Sequence, residues 1–290
     1  MSQSTNITWS RLGLGTGTLA SLGRASSAKD LERMLVSMLE NGVSVIDTAN
    51  TYGSTACERL IGRVMKNVQA PFTLVTKAGY CHGDLPLPLR PLNPFLKKAL
   101  QRMGRQQCFE PTYIAKCLER SLYRLGIERV SAFMLHDATM EAITDDRLLR
   151  VLENLKTSGK TVLVGVSTGE PEILQHALST GVFGVIQTPA SLRHAQALQS
   201  VWRQCEAAGI HIIANHIYDP HCFRHLGVNH ELLMRASASL LPEGATILCG
   251  TRNPSHLRQS NEWASNPIPR QHAESLAEEI SAMGIGLQNQ

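Results

Sequence analysis

Residues 41–53 read NGVSVIDTANTYG and decide the fold. The β-branched run 43–46 follows an Asn-Gly helix stop, which is typical of a buried strand. The run ends in Asp47, and polar residues continue as far as Tyr52. A buried strand that ends in a carboxylate, with a tyrosine five residues later, predicts one wall of an active site. Two other interpretations stay open: Asp47 as a helix cap and Tyr52 as a packed loop residue.

The same unit, an apolar strand beside an amphipathic helix, recurs along the chain. The predicted strands are residues 11–16, 43–46, 72–76, 131–135, 161–166, 182–186, 210–214 and 245–248. Helix starts are predicted at Ser27, at a Thr55–Glu58 capping box, at Pro111, at Thr144 and at Pro171. Eight strands alternating with helices favour a closed parallel barrel over an open sheet. The sequence therefore predicts one (β/α)8 TIM-barrel domain over residues 1–290.

Residues 81–109 interrupt this alternation after the third strand. Their segment 83–95, GDLPLPLRPLNPF, contains four prolines, which exclude a central strand or a helix interior. Between Cys81 and Cys108 five basic residues stand against one aspartate, so this stretch carries a net charge of +4. We expect a loop insertion over the active-site rim, either as a lid for a bulky or anionic substrate or as a solvated loop. The C-terminal segment 261–290 is expected to supply another edge of the pocket.

Composition excludes several classes of protein. The formal net charge of the chain is +4, too small to indicate a nucleic-acid binder. No apolar run is long enough to cross a membrane, and the N-terminus lacks the pattern of a secretory signal. Seven scattered cysteines without a C-x-x-C pair indicate reduced thiols. We therefore predict a cytoplasmic protein with a small-molecule substrate and neither a nucleic-acid nor a membrane partner.

Polar residues stand where most of the predicted strands end, and a parallel barrel brings such residues to one rim. The rim residues are Asp47, Lys77, His136, Ser167, Gln187, Asn215 and Gly250, with Tyr52 on the second loop. A carbonyl that accepts a hydride needs a proton donor, and Tyr52 serves if its pKa is lowered toward neutrality. The Lys77 ammonium is expected to lower it, with Asp47 holding Lys77 and His136 hydrogen-bonding the substrate oxygen.

Six segments in order resemble the aldo-keto reductase family and cover residues 12 to about 260. They are GVSVIDTANTYG, FTLVTKAG, LYRLGIERVSAFMLHD, GKTVLVGVSTGEPEIL, FGVIQT and ILCGTRNPSHLRQ. The resemblance implies a catalytic tetrad of Asp47, Tyr52, Lys77 and His136. It gives Tyr52 the role of general acid in reduction and of base in oxidation. It also implies a monomer or a weak homo-oligomer.

The resemblance implies an extended NADP(H) bound without a Rossmann motif, with NAD(H) still open. The implied cofactor-binding residues are Thr16, Asp47, Ser167, Thr168, Gln187, Asn215, Gly250, Thr251, Arg252 and Ser260. Arg252 would clamp a 2′-phosphate, or else it is a solvated surface arginine. Three positions depart from the family. Thr168 and Ser260 stand where asparagine is usual, although Asn261 follows Ser260, and Asn215 stands where an aromatic residue often stacks on nicotinamide.

The predicted function is hydride transfer between NADP(H) and an aldehyde, a ketone or the corresponding alcohol, with Tyr80 and His216 lining the substrate pocket. One alternative is a lyase that forms a Schiff base on Lys77. Another is a regulatory subunit that binds cofactor but turns over little, which the Asn215 departure keeps open. His221 and His225 have a helical spacing compatible with metal, but no third ligand is specified, so no metal is predicted.

Overall fold

The computed structural model describes residues 7–19, 26–68, 70–81, 107–220, 222–223 and 227–283. Eight parallel strands close into a barrel in sequence order, with β1 completing the ring beside β8. The strands are β1 Leu12–Gly15, β2 Val45–Asp47, β3 Thr73–Ala78, β4 Val130–His136, β5 Thr161–Ser167, β6 Val185–Pro189, β7 His211–Asn215 and β8 Thr246–Cys249. The predicted TIM barrel is confirmed.

Helices surround the barrel, as the apolar stripes predict. In the described residues they are α1 Ala28–Glu40, α2 Ala56–Met65, α3 Pro111–Leu125, α4 Met140–Thr144, α5 Asp146–Thr157, α6 Pro171–Ser179, α7 Leu192–Ala207, α8 His230–Leu240, α9 Pro254–Ser265 and α10 Arg270–Ala282, with a 3-10 turn at Tyr52–Thr55. The last helix lies in the predicted C-terminal segment and packs against α7 and α8. No described helix is both long and apolar enough to span a bilayer.

The N-termini of three helices test the capping predictions. Ser27 caps α1 in a reciprocal capping box with Asp30, as expected. The predicted cap at Thr144 is wrong by one residue, because Thr144 ends α4 and the Asp145 side chain caps α5. The predicted Thr55 cap of α2 is also wrong, since Thr55 has a left-handed backbone (φ 76°) and no side-chain cap.

The proposed capping partner of Thr55, Glu58, turns inward instead. Its carboxylate accepts hydrogen bonds from Thr76 Oγ1 at 2.7 Å and from Arg124 Nε at 2.6 Å. The two helices that carry Glu58 and Arg124 lie very close together at Gly62. A Cβ on Gly62 would stand 2.5 Å from the Leu125 carbonyl oxygen, so only glycine permits this approach.

Apolar side chains fill the inside of the barrel, so it is a packed core rather than a pore. This inner cluster consists of Val45, Val75, Ala132, Met134, Val185 and Ile213. Trp9, which precedes β1, packs on it and stacks on the His211 ring with centroids 3.8 Å apart. The amino end of the barrel is thereby filled, and polar chemistry is left to the carboxyl end.

The predicted insertion 81–109 leaves and rejoins the barrel at one place. Residues 82–106 lie outside the described part of the chain. On either side of them, Tyr80 and Gln107 form an antiparallel bridge, and Cys108 N donates to the Gly79 carbonyl at 2.7 Å. The two ends of the insertion therefore meet at the carboxyl end of β3.

Candidate active site

A buried ion pair lies at the carboxyl ends of β2 and β3. Lys77 Nζ donates to both carboxylate oxygens of Asp47 at 2.6 Å, and the two residues are 0% and 2% exposed. Burial lowers the pKa of Lys77, but the charges and hydrogen bonds of Asp47 and Tyr52 more than reverse this, and the pKa lies above its ordinary value. The side chain is therefore an ammonium fixed between a carboxylate and a phenol.

Tyr52 follows β2 at the start of the 3-10 turn, and its ring centroid lies 5.3 Å from Lys77 Nζ. Ser54 and Thr55 in this turn adopt left-handed backbone angles of 52° and 76°, an uncommon conformation that marks a constrained loop. Burial raises the pKa of Tyr52 above its ordinary value, and the opposing charge of Lys77 does not offset it. The prediction of an acidified Tyr52 is wrong, since the phenol keeps its proton at neutral pH.

His136 ends β4 and stands between two tyrosines. The Tyr52 ring meets it edge-on, with centroids 5.8 Å apart and planes at 80°. The Tyr80 ring meets it edge-on as well, at 5.1 Å and 89°. The structure thus brings together all four residues of the predicted tetrad.

Three of the predicted cofactor-binding residues join this group through Asp47. Gln187 Nε2 donates to Asp47 Oδ1 at 2.9 Å, and Ser167 Oγ donates to Gln187 Oε1 at 3.1 Å. On the other side, the backbone N and the hydroxyl of Thr16 both donate to the Asp47 carbonyl at 2.9 Å. One buried network therefore runs from β1 to β6 across the rim.

The remaining rim residues differ in accessibility. Thr168 is buried, and its hydroxyl accepts a hydrogen bond from Glu170 N. Asn215 ends β7, and its buried Oδ1 has no hydrogen-bond partner among the described residues. His216 has a left-handed backbone (φ 50°) and an exposed side chain. Asn215 thus has a buried acceptor that no described residue uses.

The segment after β8 gives mixed support for a phosphate site. Gly250, Thr251 and Arg252 lead into the N-terminus of α9, and Arg252 is exposed. Ser260 is buried on α9, where its hydroxyl accepts from Cys249 Sγ at 3.4 Å. The neighbouring Asn261 donates its side-chain amide to the Asn41 carbonyl at 2.9 Å and ties α9 to α1.

The rim residues fit a nicotinamide dinucleotide. Its carboxamide N–H donors match the unused Asn215 Oδ1, and its phosphates match the exposed Arg252 at a helix N-terminus. Gly17 keeps the space beside the Tyr52 ring open, since a Cβ there would lie 3.6 Å from the ring. The unused acceptor of Asn215 and the exposed cation of Arg252 are thus compatible with the implied cofactor.

Sequence reasoning missed two polar residues around the site, Asp137 and Gln107. Asp137 directly follows His136, so its position next to a rim residue was the available signal. Gln107 had none, because it stands at the far end of the insertion. The suggested metal pair His221 and His225 lies outside the described residues. Elsewhere in the described chain, no group of three or more His, Cys, Asp or Glu residues could hold a metal ion.

Known proteins resemble this chain in sequence and in fold. The model of the aldo/keto reductase family matches residues 11–217. The chain is 22% identical to the pyridoxal 4-dehydrogenase of Microbacterium luteolum, with 95% of both chains covered. It is 26% identical to the NADH-specific methylglyoxal reductase of Escherichia coli (strain K12), over 74% of this chain and 65% of that one.

Among solved structures, the holo form of an aldo-keto reductase from Bacillus halodurans superposes with a TM-score of 0.73 at 16% identity. The match covers 96% of this chain and 94% of the other, and at this identity it demonstrates the barrel fold alone. The family model, in contrast, spans well over half of the sequence. The chain therefore belongs to the aldo/keto reductase family of oxidoreductases.

Proposed function

We propose that this oxidoreductase interconverts an aldehyde or ketone and the corresponding alcohol with NADP(H), using Tyr52 as the general acid and base. The observation that carries the proposal is the buried Asp47–Lys77 pair beside Tyr52, with His136 edge-on to the same phenol. A phenol, an ammonium and an imidazole at one rim are the groups needed to manage the charge of a carbonyl oxygen.

The chain's own residues divide the work. Tyr52 holds the proton that passes to the substrate oxygen during reduction. The Lys77 ammonium, 5.3 Å from the ring centroid, stabilises the phenolate that remains. Asp47 keeps Lys77 in place through two hydrogen bonds, so the ammonium cannot turn away. His136 donates a hydrogen bond to the substrate oxygen as negative charge develops there.

Other residues of the rim would hold the cofactor. Ser167, Gln187 and Asn215 would bind the carboxamide, while Gly250 and Arg252 would receive phosphate. The nicotinamide, when bound, donates or accepts the hydride at the substrate carbon. Because Arg252 offers a planar guanidinium to a 2′-phosphate, we assign NADP(H) rather than the NADH named for the Escherichia coli relative.

The geometry favours this function over both alternatives. A Schiff base requires a neutral amine at Lys77, but Asp47 and Tyr52 hold the pKa of Lys77 above its ordinary value. A cofactor-binding subunit without turnover has no need of a tetrad, yet all four side chains lie together. The protonated Tyr52 also suits the role of the acid in reduction.

The test compares Tyr52→Phe with the wild-type protein on a panel of aldehydes and ketones, following NADPH oxidation by absorbance. Turnover should fall on the order of 10²–10⁴-fold, because the proton donor is lost. The Kd for NADPH, measured by fluorescence titration, should stay within about twofold, since the ring remains. Tyr123→Phe makes the same change at an exposed tyrosine and should alter neither quantity. Normal turnover by Tyr52→Phe would rule the proposal out.

A further inference from the structure

The chain makes an unusual turn to place Tyr80 beside His136. Gly79, directly after β3, has a φ of 152°, which L side chains rarely adopt. A Cβ at this position would lie 2.7 Å from the Phe109 ring and 2.9 Å from the His136 carbonyl oxygen. Only glycine fits between these groups. The backbone turn at this position places the Tyr80 ring edge-on to the imidazole, with the ring centroids 5.1 Å apart.

Three separate contacts then hold Tyr80 in this position. Its hydroxyl hydrogen-bonds the carboxylate of Asp137. Its carbonyl accepts a hydrogen bond from the Tyr113 hydroxyl at 3.0 Å, and its backbone pairs with Gln107. Burial, together with the bond to Asp137, raises the pKa of Tyr80, so the hydroxyl stays a donor throughout the neutral range. That Tyr80 lines the substrate pocket stays a prediction, and its hydroxyl is bonded to a carboxylate.

Asp137 is itself held in an uncommon conformation. Its φ is 50°, a left-handed value that aspartate and asparagine tolerate better than other non-glycine residues. Gln107 Nε2 donates to its carbonyl at 2.7 Å, and the next residue, Ala138, donates to the Ser167 carbonyl at 3.0 Å. The backbone on both sides of the left-handed residue is therefore fixed, and the carboxylate reaches Tyr80 from there.

These contacts form a closed loop of three residues, one of which carries the imidazole. His136 is covalently joined to Asp137, Asp137 hydrogen-bonds Tyr80, and the Tyr80 ring packs edge-on against His136. The other aromatic partner of the imidazole is Tyr52, also edge-on. A rotation of the His136 ring would break an aromatic contact on one side or the other. Edge-to-face pairs of this kind contribute beyond the apolar area that they bury.

We propose that Tyr80 and Asp137 are positioning residues that hold the His136 imidazole at the angle from which it hydrogen-bonds the substrate oxygen. This inference rests on the function proposed above and deepens it. Catalytic hydrogen bonds depend steeply on geometry, and a displacement of about 1 Å can cost on the order of 100-fold in rate. Two side chains that act through the imidazole are thereby part of the reaction's requirements.

The kinetic test uses Tyr80→Phe, Asp137→Ala and Asp137→Asn. The first two should lower kcat between about tenfold and 100-fold, with the Kd for NADPH unchanged, because only the imidazole is misplaced. Asp137→Asn should retain most activity, since asparagine tolerates the left-handed backbone and its Oδ1 accepts from the phenol. In a His136→Gln background, Tyr80→Phe should add no further loss, as expected for residues that act through one another. Tyr123→Phe is the matched control.

A second measurement does not depend on turnover. Ring ¹H–¹³C resonances of labelled histidines are recorded, and the His136 peak is assigned by its absence in His136→Gln. Tyr80→Phe keeps the aromatic ring, so a changed His136 shift or line width reports movement of the imidazole. We expect that change in Tyr80→Phe and Asp137→Ala, but not in Asp137→Asn or Tyr123→Phe. An unchanged His136 peak in the first two overturns the inference, whereas a changed peak without any carbonyl turnover overturns only the proposed function.

Discussion

The carboxylate of Glu58 accepts a hydrogen bond from Arg124 Nε at 2.6 Å, and both side chains are closed off from solvent. The same carboxylate accepts the Thr76 hydroxyl at 2.7 Å, and Thr76 precedes Lys77 on β3. The pair therefore fastens α2 and α3 to the back of the strand that carries Lys77. The pair holds α2, α3 and β3 together, while Lys77 faces the rim on the other side of the strand.

Loss of one partner from this pair should be costly. Glu58→Gln leaves the Arg124 guanidinium buried without its counter-charge, which destabilises a fold by about 3–5 kcal/mol. Urea denaturation followed by circular dichroism measures the change. Glu119→Gln is the matched control, because Glu119 pairs with Lys160 at 2.6 Å with side chains 55% and 36% exposed. Exposed pairs contribute about 0–1 kcal/mol, so equal losses in the two variants would contradict the assignment.

His211, whose ring stacks on Trp9, should make the folded protein less stable in mild acid. Burial lowers the pKa of His211 to about 4, below the ordinary value of 6.5. The unfolded chain therefore binds a proton that the folded chain does not, and stability falls as the pH drops through 6.5 toward 4. From about pH 7.5 to about pH 5 the loss attributable to His211 should be ~2 kcal/mol.

His211→Gln tests this directly by urea denaturation at the two pH values. The variant is expected to lose ~2 kcal/mol less than the wild-type protein on acidification, even if it is less stable at the higher pH. His176→Gln, at an exposed position on α6, should follow the wild-type pH dependence. Identical acid sensitivity in all three proteins would show that His211 does not carry the effect.

As the proposed general acid and base, Tyr52 should set the pH dependence of the reaction through its raised pKa. Since burial keeps the phenol protonated, reduction should stay on a plateau from about pH 6 to about pH 9, whereas oxidation should accelerate with rising pH. In Lys77→Met the charge that opposes burial is gone, so the pKa of Tyr52 rises further and oxidation suffers more than reduction. Initial rates in both directions across this range provide the measurement, and a reduction rate that declines well before the upper limit would contradict a protonated Tyr52.

How far the sequence predicted this molecule is clear from particular residues. Asp47, Lys77 and His136 each end a strand, and a parallel barrel brings strand ends together, so local pattern sufficed to assemble them. Glu58 was misassigned because the Thr-x-x-Glu spacing is the same whether the carboxylate caps a helix or turns inward. Its partner Arg124 lies 66 residues away.

Two further features depended on three-dimensional distances. The pKa of Tyr52 depends on a balance between burial and the Lys77 charge. The direction of its shift follows only from how deeply the phenol is buried. Tyr80 and Asp137 are 57 residues apart in the sequence. They come into contact because Gly79 permits a turn that no local sequence pattern predicts. Sequence periodicity thus located the candidate site, while the supporting contacts required the fold.

The exposed arginine after β8 should decide which nicotinamide cofactor binds better. NADPH differs from NADH by the 2′-phosphate, and Arg252 is the residue that we assign to it. Hydrogen bonds to charged groups contribute about 1.5–3 kcal/mol, so Arg252→Ala should weaken NADPH binding roughly 10- to 100-fold. The Kd for NADH should not change, because NADH has no group at that position.

Titrations of both cofactors with wild type, Arg252→Ala and Arg203→Ala make the comparison. Arg203 is an exposed arginine on α7, so its loss removes the same charge away from the segment after β8. The effect of Arg252 should also shrink as salt is raised, since an exposed guanidinium is screened within about 8 Å at physiological ionic strength. If Arg252→Ala changes the Kd values of NADPH and NADH equally, Arg252 does not read the 2′-phosphate, and the NADP(H) assignment loses its structural basis.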